Sequence, residues 1–587
     1  IDPPAYAQGA REKAQRALRA LGFLGWKPKQ DSVAFHSLFG FQPNPLQRLV
    51  IDRFPNVTGP TLTIVEALMG QGKTEAAMWL VDRATHTLGQ GGCYFALPTR
   101  ATSNQMFDRV RAFLARRYPA DIVNLQLLHG SASLSDQFDE LKREHFRLYE
   151  ATNVDGDEDR GSPAGVVASQ WFTHSKQGLL APFGVGTVDQ ALLAILQTKH
   201  VFVRLFGLSH KTVIIDEVHA YDTYMSTLLE QLLRWLGALD TSVILLSATL
   251  PEARRVRLLR AYEKGLGIEE SRTLPPSRYP RVTWTSKSSG LQAESVPQGD
   301  SHRVWIRWIE GASTDSGTRI IGEALQQALA GGGNAAVICN TVDRAQKMYS
   351  ALKDFFPGIA TDAEPELDLL HARFPFEARD AREKRALRRY GKPPKPDAGG
   401  APPNPRPHRS VLVATQVIEQ SLDLDFDLLV TDMAPADLIL QRVGRLHRHE
   451  RGPRPTGSVP YVWIMAPEVA ENGTPRYSQW TDTVYDEHIL LRSWLALRDR
   501  ETLSLPEDVE ALVERVYGDQ SCPPTLLPAI QHLWNVSEAE MKLALQKDAD
   551  QAENRDVKPP WYDGPLWKIV EMPLAEDSPE VHRAHQA

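Results

Sequence analysis

The segment Leu62–Arg83 constrains this chain most. It reads Leu-Thr-Ile-Val-Glu-Ala, then Leu-Met-Gly-Gln-Gly-Lys-Thr, then Glu-Ala-Ala-Met-Trp-Leu-Val-Asp-Arg. A short apolar strand, a glycine-containing loop and a helical run follow one another in that order. Gly70 and Gly72 let the backbone curl so that N–H groups converge on one point, and the helix start adds partial positive charge there. Such a unit belongs at the carboxyl edge of a parallel sheet covered by helices. Further short apolar runs agree: Cys93–Leu97, Val213–Asp216 and Val243–Ser247 alternate with longer helical patterns. A second alternating set contains Ala335–Cys339, Ser410–Ala414 and Asp427–Asp432. The expected class is α/β, with two tandem parallel-sheet lobes and a mostly helical C-terminal part.

The expected division is 1–45 as an N-terminal helical and linker segment, with a helix near Ala10–Leu21, then 46–275 as the first lobe and 276–475 as the second. Residues 476–587 read as a third, helical unit, with helices such as Asp508–Tyr517 and Ser537–Lys547. Residues 274–300, rich in Pro, Ser and Gly, read as a linker. Two stretches read as insertions: 150–165, acidic and Gly-rich, and 391–408, Pro- and Gly-rich. Residues 371–410 hold eleven Lys/Arg against four Asp/Glu, so a nucleic-acid surface there is one reading and a solvated face the other.

The net charge of −7 excludes a globally basic nucleic-acid binder, so any such surface is local. The three cysteines, Cys93, Cys339 and Cys522, form no close pair for zinc or a disulfide, which fits a reducing cytoplasm. No apolar run approaches the ~20 residues of a membrane span.

The chemistry follows from three segments. In the first, Gly70, Gln71 and Gly72 cradle phosphates, Lys73 reaches the β- and γ-phosphates of ATP, and Thr74, followed by Glu75, holds Mg²⁺. Ala67 stands where the general pattern has its first glycine. In the second, Asp216-Glu-Val-His219 follows a strand, so its acids face the ligand crevice. Asp216 is then the second Mg²⁺ group, and Glu217 orients and deprotonates the attacking water. In the third, Gln441-Arg-Val-Gly-Arg-Leu-His-Arg448 reads as a helix with Arg442, Arg445 and Arg448 on one face. Arg445 and Arg448 are candidates to neutralise charge on the γ-phosphoryl group, a role worth about 10³–10⁵ in rate.

Taken in order, these motifs resemble those of the superfamily two helicases over about residues 40–450, which implies RecA-like lobes. Gln47 in Pro45-Leu-Gln47 matches the adenine-reading glutamine, and Leu97-Pro-Thr99-Arg100 the element gripping the nucleic-acid backbone. Ser247-Ala-Thr249 matches the segment coupling hydrolysis to movement, and His219 is assigned to the same coupling. Val413-Ala-Thr415 through Asp423-Leu-Asp425 matches the second-lobe element that senses both ATP and strand; Asp423 and Gln441 are thus candidate nucleotide contacts. The ATP site is expected to be split between lobes. Candidate backbone-gripping residues at strand ends are Thr99, Arg100, His129, Gly130, Thr187, Asn340, Thr341 and Thr415, any of which could equally be a turn or helix cap.

The stretches Gly186-Thr-Val-Asp-Gln190, Lys199–Leu208 and Ile215–Met225 further resemble the helicase of the CRISPR type I helicase–nuclease, especially subtype I-E. Gln416–Asp427 and Pro435-Ala-Asp437 agree. The resemblance implies 3′→5′ translocation on single-stranded DNA and recruitment by a guide-RNA surveillance complex to the displaced strand of an R-loop. It also implies an HD nuclease domain, in cis or in trans. No His-Asp dipeptide occurs in the sequence, and residues 1–46 hold one histidine, His36, so that metal cluster is not expected in this chain. The missing initiator Met favours loss of an upstream segment, and the C-terminal part is expected to be incomplete. Two rivals stay open: an RNA-unwinding helicase of the same superfamily, and a DNA-docking subunit with a degenerate ATPase. Backbone-contacting motifs cannot separate RNA from DNA. Intact Lys73, Asp216 and Glu217 argue against the second.

Overall fold

The computed structural model describes residues 3–564 apart from 21–25, 30, 55–57, 130–137, 144–164, 169–171, 173–176, 199, 271, 298–300, 313–316, 359–363, 394–405, 421, 458 and 479–480. The expectations for Gly130, for the acidic insertion and for most of the Pro-rich one therefore lie outside the described residues. The chain forms two compact units: one from residues 1–67, 71–297 and 545–587, the other from 68–70 and 298–544.

The first unit contains β1 (Leu62–Glu66), β2 (Cys93–Leu97), β3 (Ile122–Leu128), β4 (Gly165–Val167), β5 (Phe183–Thr187), β6 (Thr212–Ile215), β7 (Ser242–Ser247), β8 (Arg281–Ser286) and β9 (Gly290–Ser295). They form one sheet in the order β4-β3-β5-β2-β6-β7-β1-β8-β9. The strands from β4 to β1 are parallel to their neighbours, as strands buried on both faces should be. Helices Pro45–Arg53, Lys73–Leu88 and Arg100–Arg117 bury Leu46, Trp79 and Phe107 against one face. Helices Val201–Leu208, Thr223–Ala238 and Glu252–Gly265 bury Leu205, Leu229 and Leu259 against the other.

The second unit contains β10 (His302–Ile309), β11 (Gly333–Ile338), β12 (Leu367–Leu370), β13 (Arg409–Ala414), β14 (Leu428–Asp432), β15 (Tyr461–Met465) and, after a two-stranded ribbon of β16 (Glu468–Val469) and β17 (Pro475–Arg476), β18 (Thr502–Leu505). Its sheet order is β12-β13-β11-β14-β15-β10-β18, parallel except for the last pair. Helices Gly317–Ala328 and Val342–Leu352 supply Ile321, Leu325, Met348 and Leu352 to its core.

The two-lobed α/β class holds, and three local expectations are corrected. The supposed linker 274–300 carries the hairpin β8–β9, which joins the first sheet antiparallel to β1. Its Pro and Ser content masked Val282 and Trp284, 0% and 5% exposed, whose burial against Phe54 and its neighbours anchors the strand. Residues 476–564 form no separate third unit. Leu503 and Leu505 of β18 are buried as an edge of the second sheet, while Ala552 and Val557 enter the core of the first unit. The N-terminal helix begins earlier than expected, at Pro3, and ends at Ala20.

Candidate nucleotide-hydrolysis site

Sheet order decides which loops meet. Because β7 lies between β1 and β6 and all three are parallel, their carboxyl ends stand side by side. They deliver the loop 67–72, the segment Ser247-Ala-Thr249 and the acids Asp216-Glu217 to one edge. The Ala67 N–H donates to Ser247 O at 3.2 Å, which joins the first two, and the Asp216 N–H donates to Ala96 O of β2 at 2.9 Å.

The loop is shaped by its glycines. Gly70 and Gly72 have φ of +84° and +74°, a region that costs a side chain. A β-carbon at Gly72 would lie 2.3 Å from Gln47 Nε2. Gln47 packs there because Asn44 and Gln47 cap the helix Pro45–Arg53 reciprocally. Asn44 Nδ2 then donates to Gln71 O at 2.9 Å and Gln47 Nε2 to Gly72 O at 3.2 Å. Gln47 is thus built into the loop's support. Lys73, 8% exposed, donates from Nζ to Ala67 O at 2.6 Å, which folds the ammonium back over the loop. Thr74 and Glu75 both meet Arg109, at 3.4 Å and 2.5 Å.

The acids are set by a strained turn. Glu217 has φ 53° and ψ 40°, left-handed for a non-glycine residue. Its N–H donates to Asp216 Oδ1 at 2.9 Å, and the Tyr221 hydroxyl donates to Asp216 O at 3.0 Å. Burial pushes the Asp216 carboxyl up to about 7; the neighbouring Glu217 carboxylate adds to this, and Lys73 only partly offsets it. A hydroxyl and a carboxylate, Thr74 and Asp216, are hard oxygen donors, and the raised Asp216 marks a place short of positive charge. Both features fit Mg²⁺.

His219 links this turn to β7. The Ala248 N–H donates to His219 Nδ1 at 3.2 Å, which leaves the ring proton on Nε2, 3.4 Å from Glu217 Oε2. Ser247 and Thr249 are buried, and the Ser247 hydroxyl donates to Thr249 O at 2.8 Å.

The arginine segment departs from expectation. Its helix, Ala436–Val443, stops before Arg445. Phe426 captures the chain instead: its N–H donates to Arg445 O at 2.9 Å and its O accepts from the His447 N–H at 3.1 Å. The three arginines therefore do not share a helix face. Arg442 is wholly buried, pairing with Glu419 at 2.7 Å and donating to Thr431 Oγ1 at 2.6 Å and Asn340 Oδ1 at 3.2 Å. Arg445, 1% exposed, donates to Leu422 O and Glu419 O. Arg448 Nε lies 2.6 Å from Asp423 Oδ1. Burial opposes ionisation of Asp423, but the hydrogen bond from His449 and the charge of Arg448 hold it far below the usual carboxylate range. Gln441 is buried.

The candidate strand-gripping residues divide. Thr99 and Thr341 cap the helices that follow them, accepting from the Thr102 and Arg344 N–H groups at 3.2 Å each. Arg100 opens the first of these helices. His129 Nε2 lies 2.9 Å from Asn104 Oδ1. Thr187, Asn340 and Thr415 are buried. Asn340 is tied to the Asp432 carboxylate and to Met433 O. In the basic stretch, Arg382 and Arg385 pair with Asp368, and Lys384 with Asp380, so much of its charge is internally matched. Sequence reasoning missed Arg109 and Arg254, which belong to no motif it singled out, and gave no role to Tyr221 within the stretch Ile215–Met225.

Among the described residues, no group of three or more His, Cys, Asp or Glu side chains could hold a metal ion, and no helix is long and apolar enough to cross a membrane.

Comparison with known proteins agrees with this geometry. Residues 331–451 match the family model described as "CRISPR-associated nuclease/helicase Cas3, C-terminal". The CRISPR-associated endonuclease/helicase Cas3 of Thermus thermophilus is 42% identical over 554 residues, covering 88% of this chain and 56% of that protein. The T. fusca Cas3–AMPPNP crystal structure superposes with a TM-score of 0.82 at 32% identity, over 97% of this chain and 61% of that one. A chain of the CRISPR RNA-guided surveillance complex in its pre-nicking state gives 0.64 at 32% identity, over 88% and 55%. The chain spans a little over half the length of these relatives, and by sequence, fold and motif placement it belongs to the Cas3 helicase family.

Proposed function

We propose that this chain is an ATP-dependent motor that moves 3′→5′ along single-stranded DNA. In this reading a guide-RNA surveillance complex recruits it to the displaced strand of an R-loop, where it unwinds target DNA for an associated nuclease domain in the cytoplasm. The observation that carries the hydrolytic half is the shared edge of β1, β7 and β6. There Lys73, Asp216 and Glu217 lie in one electrostatic neighbourhood, in which Lys73 acts on the Asp216 carboxyl. The partner half is supported by the likeness to a chain of the surveillance complex.

In this mechanism Lys73 leaves Ala67 O and binds the β- and γ-phosphates. Thr74 and Asp216 would hold Mg²⁺, which when bound would screen phosphate charge. Glu217 orients the attacking water and accepts its proton, with His219 Nε2–H beside it fixing the carboxylate. Gln47 and the loop glycines hold the phosphate cradle, Arg445 and Arg448 serve the γ-phosphoryl charge, and Asp423 and Gln441 are further nucleotide contacts. Thr99, Arg100 and His129 are proposed to meet the DNA backbone. Thr187, Asn340, Thr341 and Thr415 are proposed as further contacts to the DNA backbone, with the side chains of Thr187, Asn340 and Thr415 buried. Ser247 and Thr249 carry the coupling.

ATP hydrolysis measured with single-stranded DNA, duplex DNA and RNA tests this reading. Stimulation is expected from single-stranded DNA well above duplex, weakening with salt as backbone contacts do. An equal response to both would reject translocation on a single strand. A response to RNA alone would identify an RNA helicase.

A further inference from the structure

The helix Glu252–Gly265 begins directly after the Ser247–Thr249 segment and carries adjacent arginines, Arg254 and Arg255, in its first turn. This is a poor place for cations: they face the positive end of the helix dipole, at roughly 0.3–1 kcal/mol each. No side chain caps this helix start either. Local preference is violated twice in a row, a sign that both groups are employed elsewhere.

Arg254 is employed on the turn that follows Glu217. Its Nη2 donates to Val218 O at 2.9 Å, Tyr221 O at 3.1 Å and Ser226 Oγ at 2.6 Å, and its Nη1 lies 3.5 Å from His219 O. Three carbonyls of one short turn converge on one guanidinium. That turn starts from the left-handed Glu217, a conformation that persists only where its surroundings over-determine it. Arg255 is employed on a different strand. It is 1% exposed, and its Nη1 holds both carboxylate oxygens of Glu66, at 3.1 Å and 2.9 Å. Glu66 is fully buried and is the last residue of β1 before the phosphate loop.

We infer that Arg254 is a positioning residue for Glu217, and that together with Arg255 on Glu66 it ties both nucleotide-facing segments to the Ser247–Thr249 segment through one helix start. Neither arginine touches nucleotide; each acts through the group it holds. Arg254 fixes the direction of the Glu217 carboxylate by pinning the carbonyls of the following turn. Arg255 fixes the strand end that launches the loop. This inference rests on the reading of Lys73 and Glu217 as hydrolytic groups.

The test uses Arg254→Gln and Arg254→Lys, because Arg254 is only partly buried and its replacement leaves the core intact, unlike that of Arg255. ATP turnover, binding of a fluorescent ADP analogue and thermal unfolding are measured on each. Misplacing a catalytic group costs about tenfold to a hundredfold, so kcat falls by that factor in both variants. KM and analogue affinity stay within about twofold, because phosphate contacts are untouched. Lysine fails like glutamine because it carries the charge without the planar fork. An unchanged kcat overturns the inference, as does rescue by Arg254→Lys, or a joint loss of kcat, analogue affinity and melting temperature. Lys73→Ala in the same series separates the two levels. If it hydrolyses ATP at the wild-type rate, the reading of the site itself fails. If it is inactive while Arg254→Gln is unaffected, only the role of Arg254 fails.

Discussion

The Ala248 N–H donates to His219 Nδ1 at 3.2 Å, and this bond joins the strand-end acids to the segment after β7. It also fixes the imidazole tautomer, turning Nε2–H toward Glu217 at 3.4 Å. A displacement of Ala248 is therefore felt at Glu217 through one ring. His219→Ala removes that ring without touching the phosphate loop. ATP turnover is expected to fall about tenfold, the lower end of the loss for a misplaced catalytic group. Strand displacement falls further than ATP turnover. Measuring both on one preparation checks this; a parallel fall would show no coupling role.

Gly72 is held at φ +74° with Gln47 and Asn44 packed against it. Gly72→Ala must either push back the Gln47 amide or leave the left-handed region, at about 1–3 kcal/mol. The expected result is a KM for ATP raised about tenfold or more, the equivalent of about 1.4 kcal/mol in binding. Steady-state kinetics over a range of ATP concentrations reads this out.

Asp216 makes stability depend on pH. Its folded value, about 7, lies above the unfolded carboxylate value, so the protonated form is favoured by folding. The contribution is fully present below about pH 4, declines as pH rises, and is gone above about pH 7. Asp216→Asn, which can still accept from the Glu217 N–H, is expected to raise the melting temperature of the nucleotide-free protein at pH 8 and to change it little at pH 4. The gain is on the order of 1 kcal/mol after allowing for solvent at the half-buried site. The same variant loses ATP hydrolysis. Thermal scans at the two pH values check the sign.

Arg448 and Asp423 form an ion pair within the second unit. Asp423 is nearly half exposed, so the pair contributes little to stability, about 0–1 kcal/mol. Arg448→Ala is therefore expected to leave the melting temperature almost unchanged while lowering kcat by about 10³ if the arginine meets transition-state charge. Loss of both together would assign Arg448 a structural role.

The legible parts of this molecule were those written locally. The strand–loop–helix at 62–88 and the strand-end acids at 216–217 depend on neighbours in sequence, and strands such as Cys93–Leu97 appear where their apolar runs stand. Contacts made at long range were hidden. The hairpin β8–β9 looked like linker because burial of Val282 and Trp284 depends on β1 and Phe54. The helix after Ala436 looked longer because Phe426 competes for Arg445 and His447 through backbone bonds that no periodicity records. The burial of Asn340 and Thr415 was hidden likewise, because strand ends were read without their neighbours. Arg254 did leave a trace, a cation misplaced at a helix start, although its target lies on another loop.

The most direct measurement is ATP turnover by Lys73→Ala beside the unaltered chain, with single-stranded DNA present and DNA binding followed in parallel. Loss of hydrolysis with most strand affinity retained is the predicted result. Turnover at the unaltered rate would contradict the assignment of the loop 67–74 and the motor built on it.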